Sequence, residues 1–330
     1  MNDRMVLVTG AGGFIGGHLI RALIDQGRTR IRAVDIKPIA DWCQVFPGVD
    51  NRSVDLRGMS ACAEVAAGAA EVYNLACNMG GMGFIEAHKA ECMMSVLINT
   101  QLLMAARHSG AERYFFSSTA CVYAAGKQDR PDVAPLKEDD VYPAMPEDGY
   151  GWEKLFGERM CRHFHEDFGV ETRIGRYHNT YGPHGTYSGG REKAPAAICR
   201  KVIAAQLSGS NDIEVWGDGL QTRSFMYVDD CIEGTLRLMA SEVREPLNIG
   251  SDEPVSINQL IDVVEEIAGQ RFRRHYDLSA PTGVRGRSSD NTRIRKTLGW
   301  SPSTRLRDGI ETTYRWIYQQ MMLHGRHSGR

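Results

Sequence analysis

The chain has no excess of either charge, no long apolar run, no paired-cysteine spacing and no internal repeat. Each absence removes a class of protein. Thirty-nine Lys and Arg against 41 Asp and Glu leave a formal net charge of −2 over 330 residues, so no global electrostatic attraction to nucleic acid is expected. No stretch is apolar for the ~20 residues that a bilayer span needs. Met1-Asn-Asp-Arg4 leads straight into a strand, with no charged-then-apolar leader, and a soluble cytoplasmic protein without a membrane partner is expected. The eight cysteines, at 43, 62, 77, 92, 121, 161, 199 and 231, include no C-x-x-C pair. That argues against a zinc ribbon or a disulfide framework, and for small buried hydrophobes in a reducing compartment. Cys161, His163 and His165 spread around a helix axis at their spacing, so no metal site is expected. The remaining composition, 42% hydrophobic and 24% charged, is ordinary for a globular chain long enough to hold a large core and a smaller second lobe.

What the chain does have is a glycine-rich turn between apolar runs. Val6-Leu-Val-Thr-Gly-Ala-Gly-Gly-Phe-Ile-Gly-Gly17 reads as a buried strand, a tight turn and the start of a helix over Phe14–Gln26. Gly10, Gly13 and Gly16 form G-x-x-G-x-x-G, and residues without Cβ let the backbone turn sharply and approach a pyrophosphate. The phosphates would rest on the free N–H groups and positive dipole end of that helix, at Phe14 and Ile15. Glycine turns also occur with no ligand. Here Ile31-Arg-Ala-Val-Asp35 reads as a second strand ending in an acid about 20 residues on, as a dinucleotide fold requires. Asp35 favours NAD over NADP, because a carboxylate accepts from a ribose diol and repels a 2′-phosphate. Arg32 and Lys37 stand against that preference.

Short β-rich runs alternate with helical ones through the first half. This predicts an α/β fold of Rossmann type, a doubly wound parallel sheet with helices on both faces. Strands are expected at Val6–Thr9, Ile31–Asp35, Arg52–Asp55, Glu71–Ala76, Arg113–Ser118 and Glu171–Tyr177, with Leu75 and Ala76 lining the cofactor cleft. Asp55 would accept from the adenine amino group, with a helix N-cap or turn acid as the alternative. After Tyr177, Gly182-Pro183, Ser188-Gly-Gly190 and clustered charges read as loops of a smaller lobe. Returns to the sheet are expected near Phe225–Asp229 and Leu247–Gly250. Residues 1–178 with 225–250 would then hold the cofactor, and 179–224 with 251–322 the substrate. Helices are expected at Ile257–Ala268 and Leu306–Met322, followed by a disordered tail over 323–330.

Ser117-Ser-Thr-Ala-Cys-Val-Tyr123 ends the Arg113–Ser118 strand at the edge where open α/β sheets bind ligands. Downstream, Tyr150-Gly-Trp-Glu-Lys154 puts a phenol and an ammonium one helical turn apart on one face. A nearby lysine cation stabilises phenolate, so the tyrosine can take a proton from a sugar hydroxyl while hydride leaves the same carbon for nicotinamide. Thr119 can hydrogen-bond the same hydroxyl. Tyr-x-x-x-Lys alone is common; its combination with the glycine turn and the Ser-Ser-Thr strand end is specific.

Together these residues resemble the extended short-chain dehydrogenase/reductase family, whose members modify nucleotide sugars. The resemblance covers nearly the whole chain, including Arg176-Tyr-His-Asn-Thr-Tyr-Gly-Pro183, Trp216-Gly-Asp-Gly219 and Asn248-Ile-Gly250. Narrower motifs resemble the GDP-mannose 3,5-epimerases within it: Met79-Gly-Gly-Met-Gly-Phe84, Gly190-Arg-Glu-Lys-Ala-Pro-Ala-Ala197, Gln221-Thr-Arg-Ser-Phe225 and Gly283-Val-Arg-Gly-Arg-Ser-Ser-Asp290. The resemblance implies bound NAD and transient C4 oxidation of GDP-mannose or a related GDP-hexose, driven by Tyr150. The C4 ketone acidifies the hydrogens at C3 and C5. Cys121 and Lys193 match the acid/base pair that removes a proton from one face and returns one to the other. Re-reduction then gives GDP-L-galactose or, by C5 inversion alone, GDP-L-gulose.

The same resemblance implies substrate contacts from Gly80, Thr119, Ala120, Cys121, Asn179, Glu192, Lys193, Ala194, Lys201, Gln221, Thr222, Arg223 and Arg287. The two arginines would meet a diphosphate as guanidinium forks. It implies a homodimer as well, packed through helices at Met93–His108 and Tyr150–Phe168. Glu86–Met94 and Gln206–Asp212 depart from the family pattern. Each role has a plainer alternative: a buried thiol for Cys121, a solvated loop charge for Lys193, surface ion pairs for the arginines. A 4-epimerase would use Thr119, Tyr150, Lys154 and NAD without needing Cys121 or Lys193. A 4,6-dehydratase is disfavoured by Ala120-Cys121, where that reaction's pattern has Asp-Glu. A catalytically silent NAD-binding regulator would not require the tyrosine, lysine, threonine and cysteine together.

Overall fold

The computed structural model describes residues 4–327, with side chains through Leu323. β1 (Met5–Thr9) and β2 (Ile31–Asp35) are buried along nearly their whole length, as parallel strands covered on both faces must be. β3 (Asp50–Ser53), β4 (Ala69–Asn74), β5 (Arg113–Thr119) and β6 (Thr172–Tyr177) follow in the first half. The second half carries β7 (Thr180–Tyr181), β8 (Asp212–Trp216), β9 (Thr222–Ser224), β10 (Met226–Tyr227), β11 (Leu247–Ile249), β12 (Pro254–Ser256), β13 (Arg273–Asp277) and β14 (Gly286–Arg287). Among the described residues, seven strands form one parallel sheet in the order β11-β6-β5-β4-β1-β2-β3. The order reverses between β1 and β4, which opens a crevice at the carboxyl ends of those strands.

The helices are α1 (Phe14–Asp25), α2 (Met59–Ala66), α3 (Met82–Ala87), α4 (Lys89–Met93), α5 (Ser95–Ser109), α6 (Tyr150–Phe168), α7 (Ala194–Ser208), α8 (Val228–Ala240), α9 (Ile257–Ala268), α10 (Thr292–Leu298) and α11 (Leu306–His327). Strand periodicity divides the core into two layers. Val6 and Val8 of β1 and Phe115 of β5 join Leu19, Ile20 and Leu23 of α1 and Cys231, Ile232 and Leu238 of α8. Leu7, Tyr114 and Phe116 face the other way, onto Cys62 and Val65 of α2, Leu102 and Leu103 of α5, and Cys161 and Phe164 of α6. A separate core joins α7, α9 and α11 through Val202, Ile203, Leu260, Val264, Ile310 and Ile317.

Helix ends follow local chemistry. Before α9, Ser256 Oγ accepts the Gln259 N–H at 3.1 Å while Gln259 Oε1 accepts the Ser256 N–H at 2.8 Å, a reciprocal cap that sets the helix start. Other boundaries differ from the sequence expectation. β3 and β4 each begin and end two residues earlier than expected. β3 can pair only as far as β2 lasts, with Ser53 opposite Asp35, and after Asn74 the chain folds over the glycine turn. The Phe225–Asp229 segment does not rejoin the main sheet: β10 pairs with β7 in a separate ribbon. The next residue starts α8, where Asp229 and Asp230 favour a helix N-terminus. Only β11 returns. A helix break separates α4 from α5 at Met94. α11 runs past Met322 to His327, and residues 328–330 of the expected tail lie outside the described residues.

Candidate active site

At the reversal point the glycine turn leaves β1 for α1. Gly10 has φ +69°, which L side chains avoid, and a Cβ there would lie 2.8 Å from the Leu75 carbonyl and 2.9 Å from Ala76 N. A Cβ on Gly16 would run into Gly10 O and sit 2.8 Å from Ala11 Cα. Gly13 differs: its φ is −86°, and a Cβ would meet only Gly10 O, at 3.1 Å. That one contact is tight, but the backbone conformation is one any residue adopts and no other atom beyond the chain neighbours lies within 4 Å, which leaves room for a phosphate to approach. Gly13 is the N-cap of α1 and no side chain caps that helix, which leaves first-turn N–H groups, those of Phe14 and Ile15 included, available to an anion.

Asp35, buried at the end of β2, accepts the N–H groups of Gly12 and Lys37, both at 3.0 Å. Arg32 turns away to Asp50 and the carbonyls of Val65 and Ala67, while Lys37 Nζ lies 3.4 Å from Gly12 O. A fixed carboxylate beside an uncapped helix start fits the ribose and pyrophosphate of a dinucleotide. Asp55 sits two residues beyond β3, its carboxylate shared with the Arg57 guanidinium at 2.6 Å and the Arg57 N–H at 3.0 Å. This fits a turn acid, and the carboxylate stays half-exposed, so it can still accept from a ligand.

Tyr150 opens α6 and Lys154 lies one turn on, 5% and 1% exposed. Lys154 Nζ is 5.7 Å from the centre of the Tyr150 ring, 4.8 Å from that of Phe116 and 3.9 Å from Glu153 Oε2. Burial works against this ammonium, yet Cys77 and Glu153 carry its pKa above the ordinary lysine value. Burial, reinforced by Cys77, Cys121 and Glu153, pushes the Tyr150 phenol well above its ordinary pKa, and a hydrogen bond with Thr119 opposes the shift. Thr119 ends β5, and its Oγ1 accepts the Cys121 N–H at 3.2 Å. That bond caps the short turn over Ala120–Val122. The threonine thereby brings Cys121 to the same site as Tyr150.

These groups face a cavity of about 260 Å³. Thr119, Ala120, Cys121, Tyr150 and Lys193 line it, as do Gly80, Asn179, Glu192, Ala194, Lys201, Gln221, Arg223 and Arg287. Lys193 precedes α7, and burial lowers its pKa while Cys121 acts the other way. Arg287 Nη1 donates to Cys121 Sγ at 3.4 Å, and its Nε to Gln128 Oε1 at 2.5 Å. Arg223 donates only to carbonyls, those of Thr222, Thr282 and Val284 at 2.6–3.0 Å. Burial, with Arg287 close by, lowers its pKa to about 9. Neither arginine has a carboxylate partner among the described residues. A buried guanidinium and a half-buried one, neither of them in such a pair, favour an anion in this cavity.

Thr222 is the exception among the expected substrate residues: it does not line the cavity, and its Oγ1 donates to Pro131 O at 2.5 Å. Lys154 lies outside the lining too, buried alongside Tyr150. Glu147, Gln128 and Cys77 were not foreseen. Glu147 lines the cavity, accepts the Gly151 N–H at 2.9 Å and donates its own N–H to Cys121 O at 3.0 Å. Gln128 orients Arg287 from 159 residues away, and no local motif marks such a pair. Trp216 belongs to a recognised motif but carried no expected role; it lines the cavity with Lys201 Nζ 5.5 Å from its ring. All eight cysteines are free and six are buried. His163 pairs with Glu166 and His165 with Val170 O, while Cys161 lies in the core. No helix among the described residues is long and apolar enough to cross a membrane.

A dinucleotide cradle opening onto a tyrosine–threonine–lysine cluster and a cavity that favours an anion is the arrangement of a nicotinamide-dependent enzyme. The chain belongs to the NAD dependent epimerase/dehydratase family, which matches residues 6–250. It is 48% identical to GDP-mannose 3,5-epimerase 1 of Oryza sativa subsp. japonica, over 96% of this chain and 82% of that protein. It is 47% identical to GDP-mannose 3,5-epimerase of Arabidopsis thaliana over the same shares. Among solved structures, UDP-glucuronic acid 4-epimerase from Bacillus cereus, in complex with UDP-glucuronic acid and NAD, superposes with a TM-score of 0.81 at 27% identity. That match covers 96% of this chain and 99% of that one.

Proposed function

We propose that this protein is a GDP-mannose 3,5-epimerase that acts through NAD held by Gly10, Gly13, Phe14, Ile15, Gly16, Asp35, Leu75 and Ala76. Residues 1–178 with β11 form the cofactor half, and the segments around α7, α9 and α11 the sugar-nucleotide half. The observation that carries the reading is the presence of Cys121 and Lys193 in one cavity with Tyr150, since a 4-epimerase needs neither. Bound NAD supplies the redox chemistry at C4 of the sugar. Tyr150, as the phenolate that the nearby Lys154 ammonium stabilises, takes the proton of the C4 hydroxyl and becomes the phenol, while Thr119 orients that hydroxyl. The C4 carbonyl makes the hydrogens at C3 and C5 acidic. One of Cys121 and Lys193 removes a proton, leaving an enolate, and the other returns one to the opposite face.

The Arg287 contact holds the Cys121 sulfur in place, and the burial that lowers the pKa of Lys193 eases its exchange of a proton near neutrality. Restoring the C4 hydroxyl returns the proton from Tyr150, so no net oxidation remains. Arg223 and Arg287 take the diphosphate, and Lys201, Gln221 and Trp216 line the rest of the nucleotide site. Exposed Trp152 and Phe156, one turn apart on α6, with Met93 and Met94 at the α4–α5 junction, support a homodimer closed over this apolar face.

The test is incubation with GDP-mannose in deuterated water. Wild-type protein should place deuterium at C5 and C3 and keep the C4 hydrogen undiluted. Cys121→Ala and Lys193→Ala should lose this uptake while retaining NAD and fold, and Tyr150→Phe should block the oxidation before it. A wild-type product inverted only at C4 would replace this reading with that of a 4-epimerase.

A further inference from the structure

The loop that delivers Lys193 to the cavity runs through Gly189-Gly190-Arg191-Glu192-Lys193. Gly189 and Gly190 have φ +90° and +85°, and a Cβ on either would meet nothing within 4 Å. Packing around these two glycines is sparse; Gly190 N–H donates to Glu192 Oε2 at 2.7 Å and Arg200 meets Glu192 at 3.4 Å on the loop's own side, while the side-chain contacts across the cleft come from the next residue. Arg191 Nη1 donates to Asn78 Oδ1 at 3.0 Å and to Met79 O at 3.2 Å. Its guanidinium carbon sits 3.8 Å from the centre of the Phe84 ring, which stacks in turn on His88 at 4.3 Å. The Arg191 carbonyl accepts the Gly81 N–H at 3.1 Å, and a Cβ on Gly81 would lie 2.6 Å from Glu192 O. The two chain segments thus meet main chain to main chain. Among the described residues Arg191 has no carboxylate partner; its fork and flat face are committed to the segment that follows β4.

We infer that Arg191 is a positioning residue, a latch that fastens the Lys193 loop across the cleft to residues 78–84 and so fixes the Lys193 ammonium at the sugar. The inference rests on the proposed role of Lys193 in proton exchange. It separates the two halves of the reaction. C4 oxidation uses Tyr150 and Thr119, which stand on α6 and β5 and are not tied to the loop, whereas exchange at C3 and C5 needs a group two residues beyond the latch. A misplacement of about 1 Å in a reacting group costs on the order of 100-fold, so loosening the loop falls on the second half. Lysine at this position keeps the charge but neither the fork nor the stacking plane.

The experiment compares wild type, Arg191→Ala and Arg191→Lys as holoenzymes with GDP-mannose in deuterated water. Deuterium uptake is read beside the single-turnover absorbance of reduced nicotinamide, and trypsin-independent cleavage near Gly189–Gly190 is followed with a broad-specificity protease. Arg191→Ala should lower uptake by roughly 10- to 100-fold, leave the rate of cofactor reduction within about twofold of wild type, and be cut faster at the loop. Arg191→Lys should recover only part of the uptake. Wild-type uptake by Arg191→Ala overturns the latch, as does an equal loss of oxidation and uptake. Should wild type itself take up no deuterium, the proposed reaction fails and the cleavage comparison alone decides, with equal cutting rates overturning the latch.

Discussion

Alanine at Gly16 and at Gly13 adds one methyl group to the same turn, and the structure requires the two variants to fail differently. At Gly16 the methyl runs into Gly10 O and lies 2.8 Å from Ala11 Cα and 2.9 Å from Gly10 C. All are main-chain atoms, so none can rotate aside and the turn itself must move. Overpacking of this kind costs about 1–3 kcal/mol, partly offset by the roughly 0.5–1 kcal/mol that alanine contributes within a helix. With about 2 °C per kcal/mol in a chain of this size, Gly16→Ala should melt up to roughly 5 °C lower without cofactor, and its displaced N–H groups should respond weakly to NAD. At Gly13 the methyl meets one oxygen at 3.1 Å from an ordinary φ, and the loss at an N-cap is about 1 kcal/mol or less. The same methyl occupies the pyrophosphate cradle. NAD at 100 times its dissociation constant stabilises a binding protein by about 2.7 kcal/mol, and Gly13→Ala should forfeit most of that rise while keeping a near-normal unliganded melting temperature. Melting curves with and without NAD, beside assay of cofactor released on denaturation, measure both terms. A full NAD-dependent rise in Gly13→Ala would refute the cradle, and an equal rise of wild type with NADP would refute the role of Asp35.

Two further predictions concern assembly and support of the site. Trp152→Glu combined with Phe156→Glu should convert a dimer to a monomer in sedimentation at micromolar concentration, and a wild type already monomeric would remove the assembly proposal. Glu158 receives Arg176 Nε at 2.8 Å and Nη2 at 2.7 Å in a buried pair, with Ser118 Oγ on the same carboxylate. Glu158→Ala strands the arginine and should cost about 3–5 kcal/mol. Glu158→Leu with Arg176→Met removes both charges and should melt closer to wild type; equal melting of the single and double variants would show the pair to be unimportant.

Legibility in the sequence followed the range over which each pattern acts. The glycine turn, Asp35, and Tyr150 with Lys154 declare themselves because their chemistry is set by spacings of a few residues, and the α9 boundaries because Ser256 and Gln259 cap one another locally. The ends of β3 and β4 did not, because each strand stops where its neighbour offers no more partners, and this lies outside the strand's own sequence. Phe225–Asp229 reads as a strand by its aromatic and apolar residues, yet β10 finds its partner in β7 rather than in the main sheet. Gln128 was silent for the same reason at longer range, since its meaning depends on Arg287 arriving beside Cys121. Thr222 does not join its neighbours in the cavity lining, although the motif around it suggests three consecutive contacts. Gln221, just before β9, and Arg223 within it line the cavity while Thr222 turns to Pro131, as alternation along an extended chain dictates.

The same reasoning explains how one scaffold acquires a second reaction. Oxidation at C4 needs groups held rigidly beside the cofactor, and Tyr150 and Thr119 meet that need from the first turn of α6 and the end of β5. Inversion at a carbon needs something more, because a proton must leave one face and arrive at the other, and a single element cannot present groups to both. Cys121 comes from the turn that Thr119 caps on the sheet half. Lys193 comes from a different segment, the junction of the glycine-rich loop with the start of α7, and lines the same cavity. A base on such a loop gains reach and loses fixed position, which is why proton exchange, rather than oxidation, is the step that depends on how Arg191 fastens that loop to residues 78–84.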